Sequence, residues 1–267
     1  MVVQETAIIR HWGSLINSRF FRRPVMCLIL FAVNPNSRYR LIVAANRDEL
    51  YARPTQTAGF WDSNPDLLAG RDENMGGTWL GVNKKGAFAA VTNFMETPPD
   101  PLPPRSRGDL PIGFLTTDSD PNAYLDRVSA RGNAYKGFNL IVANRDNCSY
   151  YGNRAGAPRE LGNGYYGLSN QILDCDWPKV VDGRATLTEI IAAFDDPCEA
   201  LFSLLLEQGD GRKFSDRFIA ADTYGTRATS VVLIGNDGDV LFEERNFGVN
   251  GTPLTSNRFQ FNCDDGS

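Results

Sequence analysis

The chain is almost without histidine. Its one histidine among 267 residues is His11, ahead of the first strand-like run. A Ser-His-Asp triad or a Cys-His pair in the body of the chain is therefore excluded, and so are zinc sites built on histidine. Cysteine is sparse: Cys27, Cys148, Cys175, Cys198 and Cys263. Their number is odd and no two have C-x-x-C spacing, which reads as reduced thiols in an intracellular protein. No run of 18 apolar residues occurs, so no membrane span is expected. Positive charge is in deficit, with 27 Lys and Arg against 32 Asp and Glu. Residues 1–25 carry Arg10, Arg19, Arg22 and Arg23 against Glu5, a net of +3 that leaves −8 on the rest of a chain whose total is −5. An acidic body argues against nucleic acid as a partner. It still leaves room for a local basic pocket that takes an anionic ligand.

What is present is a globular composition, 42% hydrophobic and 22% charged, enough for a substantial core. Residues 1–25 are arginine-rich and lack the apolar centre of a secretory signal. They read as a flexible extension, as sequence ahead of a start at Met26, or as a mitochondrial transit-like segment. Residues 26–267 read as one domain. Strands are expected at residues 27–33 and 39–45 around the turn Asn34-Pro35-Asn36-Ser37, and again at 78–83 and 87–93. Loop signals fill residues 62–72, and a proline-rich stretch at 97–104 reads as a surface loop. Helices follow near residues 110–116 and 121–130, the second capped by Asp120. Further strands are expected at 138–143 and 148–151, and helices at 177–194 and beyond Asp196. The chain then returns to strands at 229–234, 240–244 and 258–261, the first two joined by Asn236-Asp237-Gly238. Strands, then helices, then strands predict an α+β fold with antiparallel sheets.

The chemistry concentrates at Cys27, directly after Met26, and at Asn46-Arg47-Asp48-Glu49. The first hairpin brings the two together. If Met26 begins the chain, its removal leaves Cys27 with a free α-amino group, which serves as base for its own thiol. An α-amino pKa of about 7.7–8.0 suits that task near neutral pH.

These motifs carry a resemblance. Met26-Cys27, Asn46-Arg47-Asp48-Glu49, Gly76-Gly77-Thr78-Trp79-Leu80-Gly81, Thr92-Asn93, Tyr150-Tyr151-Gly152-Asn153, Tyr166-Gly167-Leu168-Ser169-Asn170 and Tyr224-Gly225-Thr226-Arg227 occur in the order of the NRDE family. More distantly the chain resembles N-terminal nucleophile hydrolases of the choloylglycine hydrolase and penicillin acylase kind. The resemblance implies a four-layer αββα sandwich. It implies a catalytic set of Cys27, Asp48, Asn93, Asn170 and Arg227, with Asn46, Arg47 and Glu49 binding ligand and no resident metal or cofactor.

The residue types suit those roles. Arg47 or Arg227 would lower the thiol pKa, and Asp48 would hold the protonated amine. Asn93 and Asn170 would donate to an oxyanion, each such donor being worth about 2.7–4 kcal/mol. Each residue also has a structural reading: Cys27 as a small buried side chain, Arg47-Asp48 as an ion pair, the two asparagines as backbone partners, and Arg227 as half of a surface pair.

Three functions are open. The family resemblance implies an intracellular protein of lipid, acyl-coenzyme A or haem homeostasis that binds an acyl thioester or haem-like small molecule. The second reading is an active N-terminal cysteine hydrolase of amides or thioesters. The third is a trafficking adaptor in secretory-organelle organisation. Haem ligation, without histidine in the body, would fall to Cys27, a tyrosine or a methionine. The expected compartment is the cytoplasm, with the mitochondrion as the other candidate.

Overall fold

The computed structural model describes residues 26–96 and 105–263. The expectations for residues 1–25 and for the proline-rich stretch at 97–104 lie outside the described residues. In chain order the strands are β1 Leu28–Val33, β2 Tyr39–Leu50, β3 Thr55–Trp61, β4 Asn64–Asp72, β5 Leu80–Asn83 and β6 Phe88–Asn93. Helices α1 Asp109–Leu115 and α2 Pro121–Ser129 follow, then β7 Phe138–Ala143, β8 Cys148–Gly152, β9 Arg159–Glu160 and β10 Gly164–Leu168. Helices α3 Pro178–Ala193 and α4 Cys198–Leu205 precede β11 Tyr224–Gly235, β12 Asp239–Phe247 and β13 Pro253–Asn262.

The strands form two sheets, ordered β10-β1-β2-β11-β12-β13 and β3-β4-β5-β6-β7-β8-β9. Every pairing is antiparallel. Successive side chains of a strand point to opposite faces, and here both faces are apolar. Ile29, Phe31 and Val43 of the first sheet meet Leu80, Phe88 and Ile141 of the second between the sheets. Leu28, Leu30, Ile42 and Ala44 face outward onto Leu187 of α3 and Phe202 of α4. Leu67, Ala89 and Leu140 face outward onto Leu110, Phe114 and Leu125 of α1 and α2. The result is an α+β sandwich of four layers, αββα, as expected. Asp120 caps α2 by accepting from the Ala123 N–H at 3.0 Å, and Asp196 accepts from the Cys198 N–H at 3.1 Å.

Three differences from the sequence reading matter. Residues 62–72, read as loop, are mostly β4, hairpinned onto β3. Asn64, Pro65 and Asp66 mask the strand signal, while Leu67 to Gly70 are buried. Strand β10, which contains Gly164 and Gly167, was not expected at all. It pairs with β1, and the rings of Phe31 and Tyr166 stack 5.2 Å apart. Most important, β2 runs on to Leu50, so the Asn-Arg-Asp-Glu motif lies within a strand rather than after one.

Candidate active site

Strand alternation divides the motif. Asn46 and Asp48 share the helix-covered face with Ile42 and Ala44, whereas Arg47 and Glu49 share the inter-sheet face with Val43 and Ala45. Asn46 is fully buried. Its Nδ2 donates to the carbonyls of Leu205 and Arg217, both at 2.8 Å, and its Oδ1 accepts from Thr229 Oγ1 at 2.8 Å. It is not among the residues lining the cavity. Expected to bind ligand, Asn46 is placed here where it clamps β2 and β11 to the segments around α4.

Between the sheets lies a cavity of about 550 Å³ bordered by Cys27, Arg47, Asp48, Glu49, Asn93 and Arg227, among others. Four of the five residues expected to be catalytic therefore meet there. Asn170 does not. Its Nδ2 donates to the main-chain oxygen of Asn93 at 2.8 Å, and its own carbonyl accepts from the Met95 N–H at 2.8 Å. It braces the end of β6, which carries Asn93.

Arg227 owes its position to a β-bulge. Thr226 pairs with Asp48 and Ala228 with Arg47, which leaves Arg227 as the extra residue of β11. Its Nη1 donates to the carbonyls of Leu50, Tyr51 and Arg53 at 3.1, 3.2 and 2.8 Å. The surface ion pair that was the structural alternative for Arg227 is absent among the described residues.

Cys27 stands just before β1 and is 7% exposed. Its thiol faces the main-chain oxygen of Asp48 at 4.0 Å. Burial, reinforced by the Asp48 charge, pushes the thiol up to about 11, and the lowering pull of Arg47 and Lys179 does not compensate. Arg47 and Lys179 thus lower the thiol, as neighbouring cations do, but burial outweighs them. Desolvation disfavours the charged form more than these cations favour it.

Asp48 is almost wholly buried. Its Oδ1 accepts from Thr226 Oγ1 at 2.7 Å, while Oδ2 has no hydrogen-bond partner among the described residues. Burial raises the carboxyl to about 7, opposed first by the charge of Lys179, then by Thr226 and Arg47.

Lys179 escaped the sequence reading. It is 1% exposed at the start of α3. Its Nζ donates to the carbonyls of Met26 and Cys27 at 3.1 and 3.4 Å. Burial lowers its pKa, and the Asp48 charge pulls it back most strongly. A signal did exist. Lys179, Gly183 and Leu187 recur at intervals of four residues on the buried face of α3, so a lysine occupies a core position. Two other groups complete the entrance to β1. Ser169 Oγ donates to the Cys27 carbonyl at 2.6 Å, and the Met26 N–H donates to Tyr224 Oη at 2.8 Å.

These features define a class: a four-layer αββα protein with a cysteine at the head of its first strand, opening on a charged inter-sheet cavity. The family model described as transport and Golgi organisation 2 matches residues 26–248. The chain belongs to that family. It is 39% identical over 256 residues to the transport and Golgi organization protein 2 homolog of Bos taurus, covering 82% of this chain and 92% of the relative. The Homo sapiens homolog is 38% identical with the same coverage. The Drosophila melanogaster transport and Golgi organization protein 2 is 25% identical over 258 residues, 82% of this chain and 91% of the relative.

Proposed function

We propose that this chain binds an acyl thioester or a related acyl or haem-like ligand in the inter-sheet cavity, and serves lipid, acyl-coenzyme A or haem homeostasis. The observation that carries the reading is the cavity itself. It has the volume of a small-molecule site and joins Cys27, Arg47, Glu49 and Asn93 on one wall system. Trp79 and Val91 supply apolar lining, and Arg47 and Arg227 supply charge. The reading treats residues 26–267 as one domain of the N-terminal nucleophile type, with Cys27 in the nucleophile's place. It places the protein in the cytoplasm or the mitochondrion. No disulfide joins cysteines among the described residues, which fits a reducing compartment. No described helix is long and apolar enough to cross a membrane.

Binding is favoured over hydrolysis for the 267-residue chain. Its Cys27 nitrogen is an amide, which removes the α-amino base, and burial holds the thiol up to about 11. An adaptor without a small ligand would leave the cavity and its buried charges unexplained.

Calorimetric titration of the full chain with a long-chain acyl-coenzyme A tests the reading. Saturable binding is expected, retained in Cys27→Ala and weakened severalfold in Arg47→Ala. A folded full chain that takes up no acyl-coenzyme A would overturn it.

A further inference from the structure

Among the described residues, seven cationic side chains border the cavity, Arg47, Arg53, Arg71, Arg105, Arg107, Lys136 and Arg227, against four acidic ones, Asp48, Glu49, Asp72 and Glu244. This excess sits in a chain whose total charge is −5. The acids are moreover unevenly used. Glu49 lies 4.0 Å from Arg47 and 3.7 Å from Arg53, and Arg53 also pairs with Asp72. Asp48 faces Lys179 and Thr226, and Glu244 Oε1 accepts from the Ala58 N–H at 2.8 Å. Arg71, Arg105, Arg107, Lys136 and Arg227 have no ion-pair partner among the described residues. Arg71 lies over the Trp61 ring at 4.7 Å, and Arg107 donates to the Gly137 carbonyl at 3.0 Å. Burial lowers the pKa of Arg107 and of Arg227, and the like charges of Arg53 and Arg47 add to it.

Close backbone packing sets this wall. A methyl group on Gly77 would come within 2.7 Å of the Gly108 Cα, and the Thr78 N–H donates to the Gly108 carbonyl at 3.2 Å. These contacts dock the segment carrying Arg105 and Arg107 onto the start of β5. Glu96 and Glu49 oppose the shift on Arg107, and Glu49 that on Arg227; cations in excess over carboxylates still repel one another, and an anion relieves that cost with charge-assisted hydrogen bonds.

We infer that the wall formed by Arg71, Arg105, Arg107, Lys136 and Arg227 is an anion subsite, and that the ligand carries at least two phosphate-class charges there. The inference rests on the reading of the cavity as a ligand site and specifies the polar end of what enters it. Guanidinium groups match phosphate oxygens in pairs. A single carboxylate would leave most of these cations unanswered.

The test titrates inorganic pyrophosphate into the full chain by calorimetry at low salt. The expected result is saturable binding that weakens as salt is raised. Arg107→Gln and Lys136→Gln each lower the affinity about tenfold, while Lys85→Gln, on an exposed ion pair with Asp118, leaves it unchanged. Orthophosphate binds more weakly than pyrophosphate. Equal affinity in all three variants, or no binding to the folded chain, overturns the inference. A competition arm separates it from the acyl reading. Acyl-coenzyme A binding that pyrophosphate does not displace sinks the anion subsite and keeps the acyl site. Pyrophosphate binding without acyl-coenzyme A binding does the reverse.

Discussion

Lys179 Nζ lies 3.1 Å from the carbonyl oxygen of Met26, so a buried ammonium on α3 anchors the entry of the chain into β1. It reaches the Cys27 carbonyl as well, at 3.4 Å. Both carbonyls lose that donor in Lys179→Met, a change that preserves side-chain length. Loss of charged hydrogen bonds to buried acceptors costs about 1–3 kcal/mol. Denaturant unfolding of the variant is expected to show a lower midpoint with an unchanged slope. An unchanged midpoint would mean that the ammonium's desolvation cancels its contacts.

Asp48 makes the same region pH-sensitive. Its carboxyl stands at about 7 in the folded chain against 3.8 as the ordinary value. Between those values the folded state keeps a proton that the unfolded state has released. Stability therefore falls as pH rises through that window. Glu244 is also raised by burial and adds a slope of the same sign. Asp48→Asn is expected to flatten the profile of unfolding free energy between about pH 4 and pH 7. Lys179→Met, which removes the largest lowering influence on Asp48, is expected to shift the falling limb to higher pH. Parallel profiles for the natural chain and Asp48→Asn would refute the assignment.

The sequence made the layers legible because its apolar runs are long and its turns are marked. Asn34-Pro35-Asn36-Ser37 and Asn236-Asp237-Gly238 both sit where chain reversals were expected. The hairpin of β3 and β4 was hidden, because Thr55 to Thr57 and Asn64 to Asp66 are polar or proline and not buried. Within the site, Cys27, Asp48, Asn93 and Arg227 were found by motif, and they meet across about 200 residues of chain. Asn46 and Asn170 could not be sorted from them by motif, since hydrogen-bond destination is a tertiary property. Lys179 and the arginines at 105 and 107 were missed for a related reason. A lysine in a helix and arginines beside a proline-rich stretch read as solvated charges. Only packing reveals that they converge on Cys27 and its cavity.

Asn46 offers a separation of stability from binding. All three of its hydrogen bonds are buried and measure 2.8 Å. Asn46→Ala strands two carbonyls and a hydroxyl, which is expected to cost about 2–4 kcal/mol. The variant should unfold at markedly lower denaturant. Below its transition it should bind acyl-coenzyme A as the natural chain does, because Asn46 does not line the cavity. Glu49→Gln is expected to behave oppositely, with little change in stability and altered affinity. It removes the carboxylate next to Arg47 and Arg53 while leaving the fold's cores untouched. If Asn46→Ala abolished binding while folded, the face assignment along β2 would be wrong.

Cys27 decides between binding and catalysis, and the outcome turns on the residue before it. In the 267-residue chain its thiol stands at about 11 against 9.0 for an unperturbed thiol, so its thiolate fraction at neutral pH is roughly 100-fold lower. Alkylation by iodoacetamide, followed by peptide mapping, should be correspondingly slow at Cys27 and should accelerate about tenfold per pH unit up to about 11. A chain begun at Met26 and trimmed to Cys27 gains an α-amine with a pKa of about 7.7–8.0 beside the thiol. That amine can take the thiol proton, so faster labelling by a thiol-reactive acyl analogue is expected for the trimmed chain. Cys27→Ala should abolish the labelling and keep acyl-coenzyme A binding. Equal labelling rates for the long and trimmed chains would refute the N-terminal nucleophile reading. They would leave Cys27 as a wall of the binding cavity, held neutral by its burial.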